Sequence, residues 1–330
     1  MTERPATRHA FLIAALLWGA ALALTGCGSN KPPPPAAVAA PLDALRLGMQ
    51  SYDDAQFVAA TQLFGKALVH YRSVDDSRGQ VIALLNLTDV ALVLGEHARA
   101  SGHLTEAERV VQRDKLTGFE ARLPLLQCQA LAQAGDAAAA KAHCDAVLAL
   151  KDIGPKVALG AQLELAKLSV AAGGGSAEEW TTLRVPLAKA VEADERPNSQ
   201  ARLLRLDADA ARRAGGFDDA YAKLNAALAI YQAGLYRPGI AATHEELAVV
   251  ARAQERDAVA RDHYQRALTI RFFMSDRVHG AAALEGLMTL EESVGDLERA
   301  DQLRDMLDYM RGSDAVEWRL VQQKYEKLER

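Results

Sequence analysis

Aromatic residues make up only 5% of this 330-residue chain, and it has three cysteines. That scarcity argues against sheets, which are filled by aromatic and β-branched side chains. Ala and Leu, strong helix formers, supply the bulk of the apolar half of the chain. The formal net charge is -5, with no long basic run, so the electrostatic footprint of a nucleic-acid binder is missing. There is no Gly-rich phosphate loop and no Gly-x-Ser-x-Gly elbow. His244-Glu245-Glu246 lacks the second histidine of a zinc-protease helix, and His143 beside Cys144 has no second ligand pair at metal spacing. No catalytic residue, metal or cofactor is expected.

The N-terminus is an address. Arg4 and Arg8 form a positive stretch, and residues 10–24 carry no charge. Fifteen apolar residues are short for a membrane span, which needs about 20, and fit a secretory segment. Leu24-Thr25-Gly26-Cys27 follows and resembles the lipobox of bacterial lipoproteins. The resemblance implies cleavage before Cys27 and acylation of its thiol; the alternative is an ordinary signal peptide with a chance cysteine. Losing residues 1–26 removes Glu3, Arg4 and Arg8, leaving 36 basic against 42 acidic residues. With Gly28 rather than Asp after the cysteine, the resemblance further implies delivery to the periplasmic side of an outer membrane. Residues 27–41, with Pro32 to Pro35 in a row, read as an extended tether of about 3.1 Å per residue.

Beyond the tether, small residues recur every forty positions: Ala60, Ala100, Ala140, Ala220, Ala260 and Ala300, with Trp180 in the remaining place. Seven residues later stand Ala67, Ala107, Val147, Leu187, Ala227, Ala267 and Leu307. Five residues earlier stand Ala55, Gly95, Gly135, Gly175, Gly215, Glu255 and Gly295. A glycine there ends one helix in the left-handed conformation. Asp136, Asp218 or Asp296 can then cap the next helix, and the small residue lets that helix pack closely against the first. The unit is a helical hairpin, repeated about seven times.

These residues resemble the tetratricopeptide repeat. Ala60-Phe64-Ala67, Ala100-Leu104-Ala107, Ala220-Leu224-Ala227 and Ala260-Tyr264-Ala267 match its small–large–small pattern. The usual period is about 34, so the longer repeats of kinesin light chain are nearer; HEAT and armadillo repeats also reach about 40 but lack the aromatic between the small positions. The resemblance covers 42–311 and implies an all-α, right-handed superhelical solenoid. Residues 42–152 and 197–311 carry good repeats. Between them, 153–196 is poor: Trp180 is bulky, Arg184 sits where an aromatic belongs, and Pro186 is expected to interrupt a helix. That segment is either a hinge or a degenerate repeat. Residues 312–330 carry a Ser313-Asp314 cap and a Trp318, Val321, Tyr325, Leu328 stripe, either covering the last repeat or serving as a detached docking helix.

The resemblance also puts the first helix of each pair on the concave face. That face would show Leu45, Met49, Tyr52, Leu85 and Leu92 in the first two repeats. It would show Arg202, Arg205, Asp209 and Arg212 in the fifth, then Glu245, Arg252, Glu285 and Glu292 in the next two. Such a groove runs from apolar to basic to acidic. Only Asn86 stands where the chaperone-type carboxylate clamp needs its Lys and Asn residues. Cys128 and Cys144 form either a disulfide closing a loop of about 15 residues, worth about 3 kcal/mol, or two buried thiols. The expected function is a non-catalytic, lipid-anchored scaffold. Its partners would be envelope proteins or their peptide segments, in envelope or pilus assembly or as an adaptor for peptidoglycan enzymes.

Overall fold

The computed structural model describes residues 36–172, 177–194, 196–312 and 316–328. The secretory segment, Cys27, the proline run, Gly175 and the Ser313-Asp314 cap lie outside them. Residues 40–330 form one compact unit.

Among the described residues every regular element is a helix. The pairs are α1 (Ala36–Asp53) with α2 (Phe57–Ser73), α3 (Ser77–Val93) with α4 (His97–Asp114), α5 (Arg122–Ala134) with α6 (Ala137–Leu148), and α7 (Pro155–Ala171) with α8 (Ala177–Glu192). They continue as α9 (Pro197–Arg213) with α10 (Phe217–Ala233), α11 (Arg237–Ala253) with α12 (Asp257–Phe273), and α13 (Arg277–Val294) with α14 (Leu297–Gly312). α15 (Trp318–Leu328) follows. Each helix packs chiefly on its neighbours in the chain, as in a solenoid. In pairs one, two and five to seven the period of forty arises because helices of about seventeen residues alternate with turns of two or three; the third pair has shorter helices, of 13 and 12 residues, and longer connections, 115–121 and 149–154. α1 begins inside the expected tether, so residues 36–41 are helical and Pro41 is accommodated in the second turn.

The expected seams are present. Ala60, Ala100, Ala140, Ala220 and Ala260 have no exposed surface, nor do Ala67, Ala107, Val147, Ala227 and Ala267. Gly95, Gly135, Gly215 and Gly295 end their helices with φ between 67° and 88°. Ala55 and Glu255 adopt the same conformation (φ 57° and 58°) without that licence. A second row of left-handed residues, Asp75, Lys115, Leu235 and Ser275, marks the turns between pairs. Asp136 and Asp296 accept from the N–H three residues on, as caps. Asp218 does not: it lies inside the first turn of α10, where it accepts from Gln254 Nε2 at 2.6 Å. Two glycines serve packing instead. A Cβ on Gly79 would lie 2.2 Å from the Tyr71 ring, and one on Gly239 2.7 Å from the Tyr231 ring. Each glycine is a notch that seats the ring of the preceding helix.

The poor repeat is a complete pair. α8 runs through Pro186 without interruption, at the cost of one backbone hydrogen bond. Trp180 is buried, and its indole Nε1 donates to Asp207 Oδ1 at 2.9 Å; Arg184 Nε donates to the same oxygen at 2.6 Å. In the third pair Cys128 and Cys144 are joined by a disulfide with Cα atoms 5.4 Å apart, and both side chains are fully buried. α15 lies on α12 and α14, with Val321 and Tyr325 buried and the Tyr325 ring edge-on to Phe272 at 5.3 Å.

Candidate binding channel

Within the compact unit the first repeats meet the later ones. Ala241 and Met274 belong to the same buried cluster as Leu45, Phe64 and Leu84. Arg237 Nη1 donates to the carbonyl of Asp54 at 2.9 Å, across 183 residues of sequence, and its guanidinium lies 4.8 Å over the Phe273 ring. At Gly95 a Cβ would come within 3.0 Å of His279 and Val278. The small rotation added by each pair brings the turns after α1 and α3 onto the starts of α11 and α13. The groove is therefore a channel with a closing seam rather than the open trough expected from the repeats.

Three hollows share walls along its inner surface. The first, 280 Å³, lies between Met49, Phe64, Asn86 and Arg122. Tyr52 and Asp89 separate it from a central one of 430 Å³, which Gln129, Gln133, Arg202, Tyr236 and Arg271 also line. Arg205 separates that from a third, 350 Å³, floored by Ala208, Val249, Tyr264 and Ala283.

Its charges are largely paired. Arg122 Nη2 donates to Asp89 Oδ2 at 2.6 Å and to Asn86 Oδ1 at 3.0 Å. Arg202 reaches Glu164 at 2.8 Å, and Arg205 grips Glu246 with two bonds of 2.9 and 2.5 Å. Arg212 pairs with Asp209 at 2.6 Å. Burial works against the charge on Arg205, but Glu246 outweighs it and raises the guanidinium pKa. Burial raises the Asp89 carboxyl despite Arg122. It also raises the phenols of Tyr52 and Tyr236, so both stand in the channel as neutral donors.

The sequence-predicted groove residues divide accordingly. Tyr52, Leu92, Arg202 and Arg205 meet at the central hollow, and Met49 at the first. Asp209, Arg212 and Glu245 line the third with Arg205. Arg252 lies outside that lining, near enough to Tyr264 on the wall for its charge to oppose the rise that burial gives the phenol pKa. Leu45 of α1 and Leu85 of α3 are core residues rather than groove residues: Leu45 packs into the cluster with Phe64 and Leu84, and α3 is buried nearly all round. Glu285 and Glu292 lie outside the hollows, paired with Arg311 at 2.8 Å and Arg304 at 2.5 Å.

Arg271 was not foreseen, because it sits on the second helix of its pair. It is almost fully buried, with Nε 2.8 Å from Glu245 and Nη1 2.9 Å from Asp276. Asp276 also accepts from the backbone N–H of His279 and lies 2.9 Å from its Nδ1. The signal was in the period: 271 is in register with Tyr71 and Tyr231, and 279 with Gly79 and Gly239. Where the chain closes on itself, the ring and its notch are replaced by an arginine and a histidine bridged through a carboxylate.

No protein-family model matches the chain, and no curated protein matches it. Solved structures do. A Rap protein complexed with competence and sporulation factor aligns over 86% of this chain and 80% of its own, at 13% identity and a TM-score of 0.59. A Signal Transduction ATPase with Numerous Domains from Pyrococcus horikoshii, bearing a tetratricopeptide repeat sensor, aligns over 90% of this chain and 44% of its own, at 12% identity and a TM-score of 0.50. At such identities the likeness is one of fold. With the repeat geometry above, it makes this chain a tetratricopeptide-like helical solenoid.

Proposed function

We propose that the chain is a non-catalytic scaffold whose inner channel receives an extended segment of a partner protein. One observation carries this reading: three hollows share walls along a surface that alternates apolar floors with side-chain donors and acceptors. A single small molecule would fill one hollow; an extended chain offers side chains to all three and backbone groups to Gln129, Gln133, Tyr52 and Tyr236 between them. A Rap protein of this fold was solved complexed with competence and sporulation factor, which supports the use of such a fold to hold a ligand. The lipobox around Cys27 supports anchoring at a membrane surface, with the scaffold serving envelope or pilus assembly. Two acyl signals are needed for stable attachment.

A photo-crosslinking residue placed at Val249, inside the channel, is expected to join one defined stretch of a partner. The same residue at exposed Lys66 on α2 is not. Equal labelling from both positions would refute the channel reading. Incorporation of labelled fatty acid that survives Cys27→Ala would refute the anchor.

A further inference from the structure

We infer that the first hollow is a socket for one basic side chain of the bound segment, a lysine or arginine whose aliphatic stem lies on the apolar lining and whose head meets Asp53 and Asp89; this rests on the channel reading above. The cavity is 280 Å³, and its lining is mostly apolar. Phe64 is buried, Ile82 is half-buried, and Met49 is 56% exposed although it lines the cavity. An exposed methionine at a hollow is a surface that gains by being covered. Its side chain is unbranched and flexible, so it can follow the stem of either residue.

Charge selects the head group. The lining holds two carboxylates, Asp53 and Asp89, and one guanidinium, Arg122. Arg122 is divided between Asp89 Oδ2 at 2.6 Å and Asn86 Oδ1 at 3.0 Å. Asp53 makes no hydrogen bond or ion pair among the described residues. It is also the last residue of α1, where the helix carbonyls add partial negative charge and no basic residue stands in the last turn. Arg237, the guanidinium that reaches this turn, is engaged by the Asp54 carbonyl and the Phe273 ring. The Tyr52 phenol registers the imbalance. After burial and Tyr236, Asp89 and Asp53 raise its pKa further, and Arg122, the smallest of these influences, opposes them. An ammonium or guanidinium would pair the free carboxylate; a neutral head would leave it alone, and an acidic one would be repelled. A cation on an aliphatic stem uses both halves of the site, burying methylenes against Phe64 and Ile82 while its head stays with the carboxylates.

The test uses full-length protein in detergent and N-acetylated octapeptides on an Ala-Gln background. They carry Lys, norleucine or Glu at the centre, and binding is read by fluorescence anisotropy. The Lys peptide is expected to bind about fivefold tighter than the norleucine peptide, which has the same stem without the charge, and to exceed the Glu peptide by more. Asp53→Asn, at an exposed position with no partner to lose, is expected to bring the Lys and norleucine peptides within about twofold of each other. Asp54→Asn, at the adjacent exposed carboxylate outside the lining, is expected to leave the original ratio unchanged. That control separates a socket from the general pull of an acidic chain on a basic peptide. A Lys-to-norleucine ratio at or below one would overturn the socket while leaving the channel intact. So would a ratio that survives Asp53→Asn, or one that Asp54→Asn lowers equally. No binding by any peptide would overturn both.

Discussion

The fourth and fifth helix pairs do the same job with opposite materials. In the fifth, α9 and α10 close over Ala220 and Ala227, which have no exposed surface, and touch along most of their length. In the fourth, the same two places hold Trp180 and Leu187, and α7 and α8 touch along much less of theirs. The larger side chains hold the helices apart, and contact is restored by reaching out of the pair: the Trp180 indole and the Arg184 guanidinium converge on one oxygen of Asp207 in α9. The difference separates two properties that usually travel together. The period depends on helix length, which the fourth pair keeps: α7 has 17 residues and α8 has 16. Close packing depends on side-chain size, which it gives up.

If that account is right, the fourth pair depends on its tryptophan more than the fifth depends on any one residue. Trp180→Ala removes a buried indole and leaves Asp207, itself fully enclosed, with only an arginine. It is expected to cost about 3–5 kcal/mol, measured by urea unfolding. A cost below about 1 kcal/mol would mean that the pair is held by something else.

Acid is expected to strike the regular region instead. His244 of α11 and His263 of α12 face each other with Nδ1 atoms 3.0 Å apart, and Tyr221 Oη lies 3.0 Å from Nε2 of His263. The two facing nitrogens can share only one proton. Burial, then His263 and Arg266, lower the His244 pKa to about 4, against an opposing pull from Asp262. Burial likewise lowers that of His263, where Arg256 and Arg266 add to it. A depressed histidine is neutral in the folded protein, so the unfolded chain binds the extra proton. The stabilisation is whole above the unfolded value near 6.5 and is lost as pH falls from there toward 4, by about 3 kcal/mol. His244→Leu is expected to flatten that slope. Parallel acid profiles for the two proteins would exclude the pair as its source.

The seams and the glycine row were legible in the sequence because one residue type answers each need: Ala for close approach, Gly for a left-handed stop. The turns between pairs were not. Asp75, Lys115, Leu235 and Ser275 share a conformation but no chemistry that a sequence pattern could pick out. Closure of the channel was invisible for a different reason. The rotation of each pair is too small to mark any local pattern, and its consequence appears only where Arg237 reaches Asp54. Arginines placed in the groove by register were found there, but a string of residues does not show that Glu164 and Glu246 already hold them. Asp218 shows the limit of cap reading: it lies one residue beyond the first helical position, Phe217, and turns to Gln254.

Two smaller perturbations sharpen the contrast between seam and turn. Ala220→Leu puts three more carbons into a seam with no space and is expected to cost about 1–3 kcal/mol. The fourth pair tolerates a tryptophan at the equivalent place only because its helices already stand apart. At the turn the sign reverses. Leu235 is 73% exposed and holds φ at 51°, a conformation costing a non-glycine residue about 1 kcal/mol or more. Leu235→Gly removes that strain but adds freedom to the unfolded chain. The balance is expected to favour the folded state by about 0.5 kcal/mol, read as a small rise in thermal midpoint. A fall would mean that the Leu235 side chain, exposed as it is, contributes more through contacts than its backbone loses through strain.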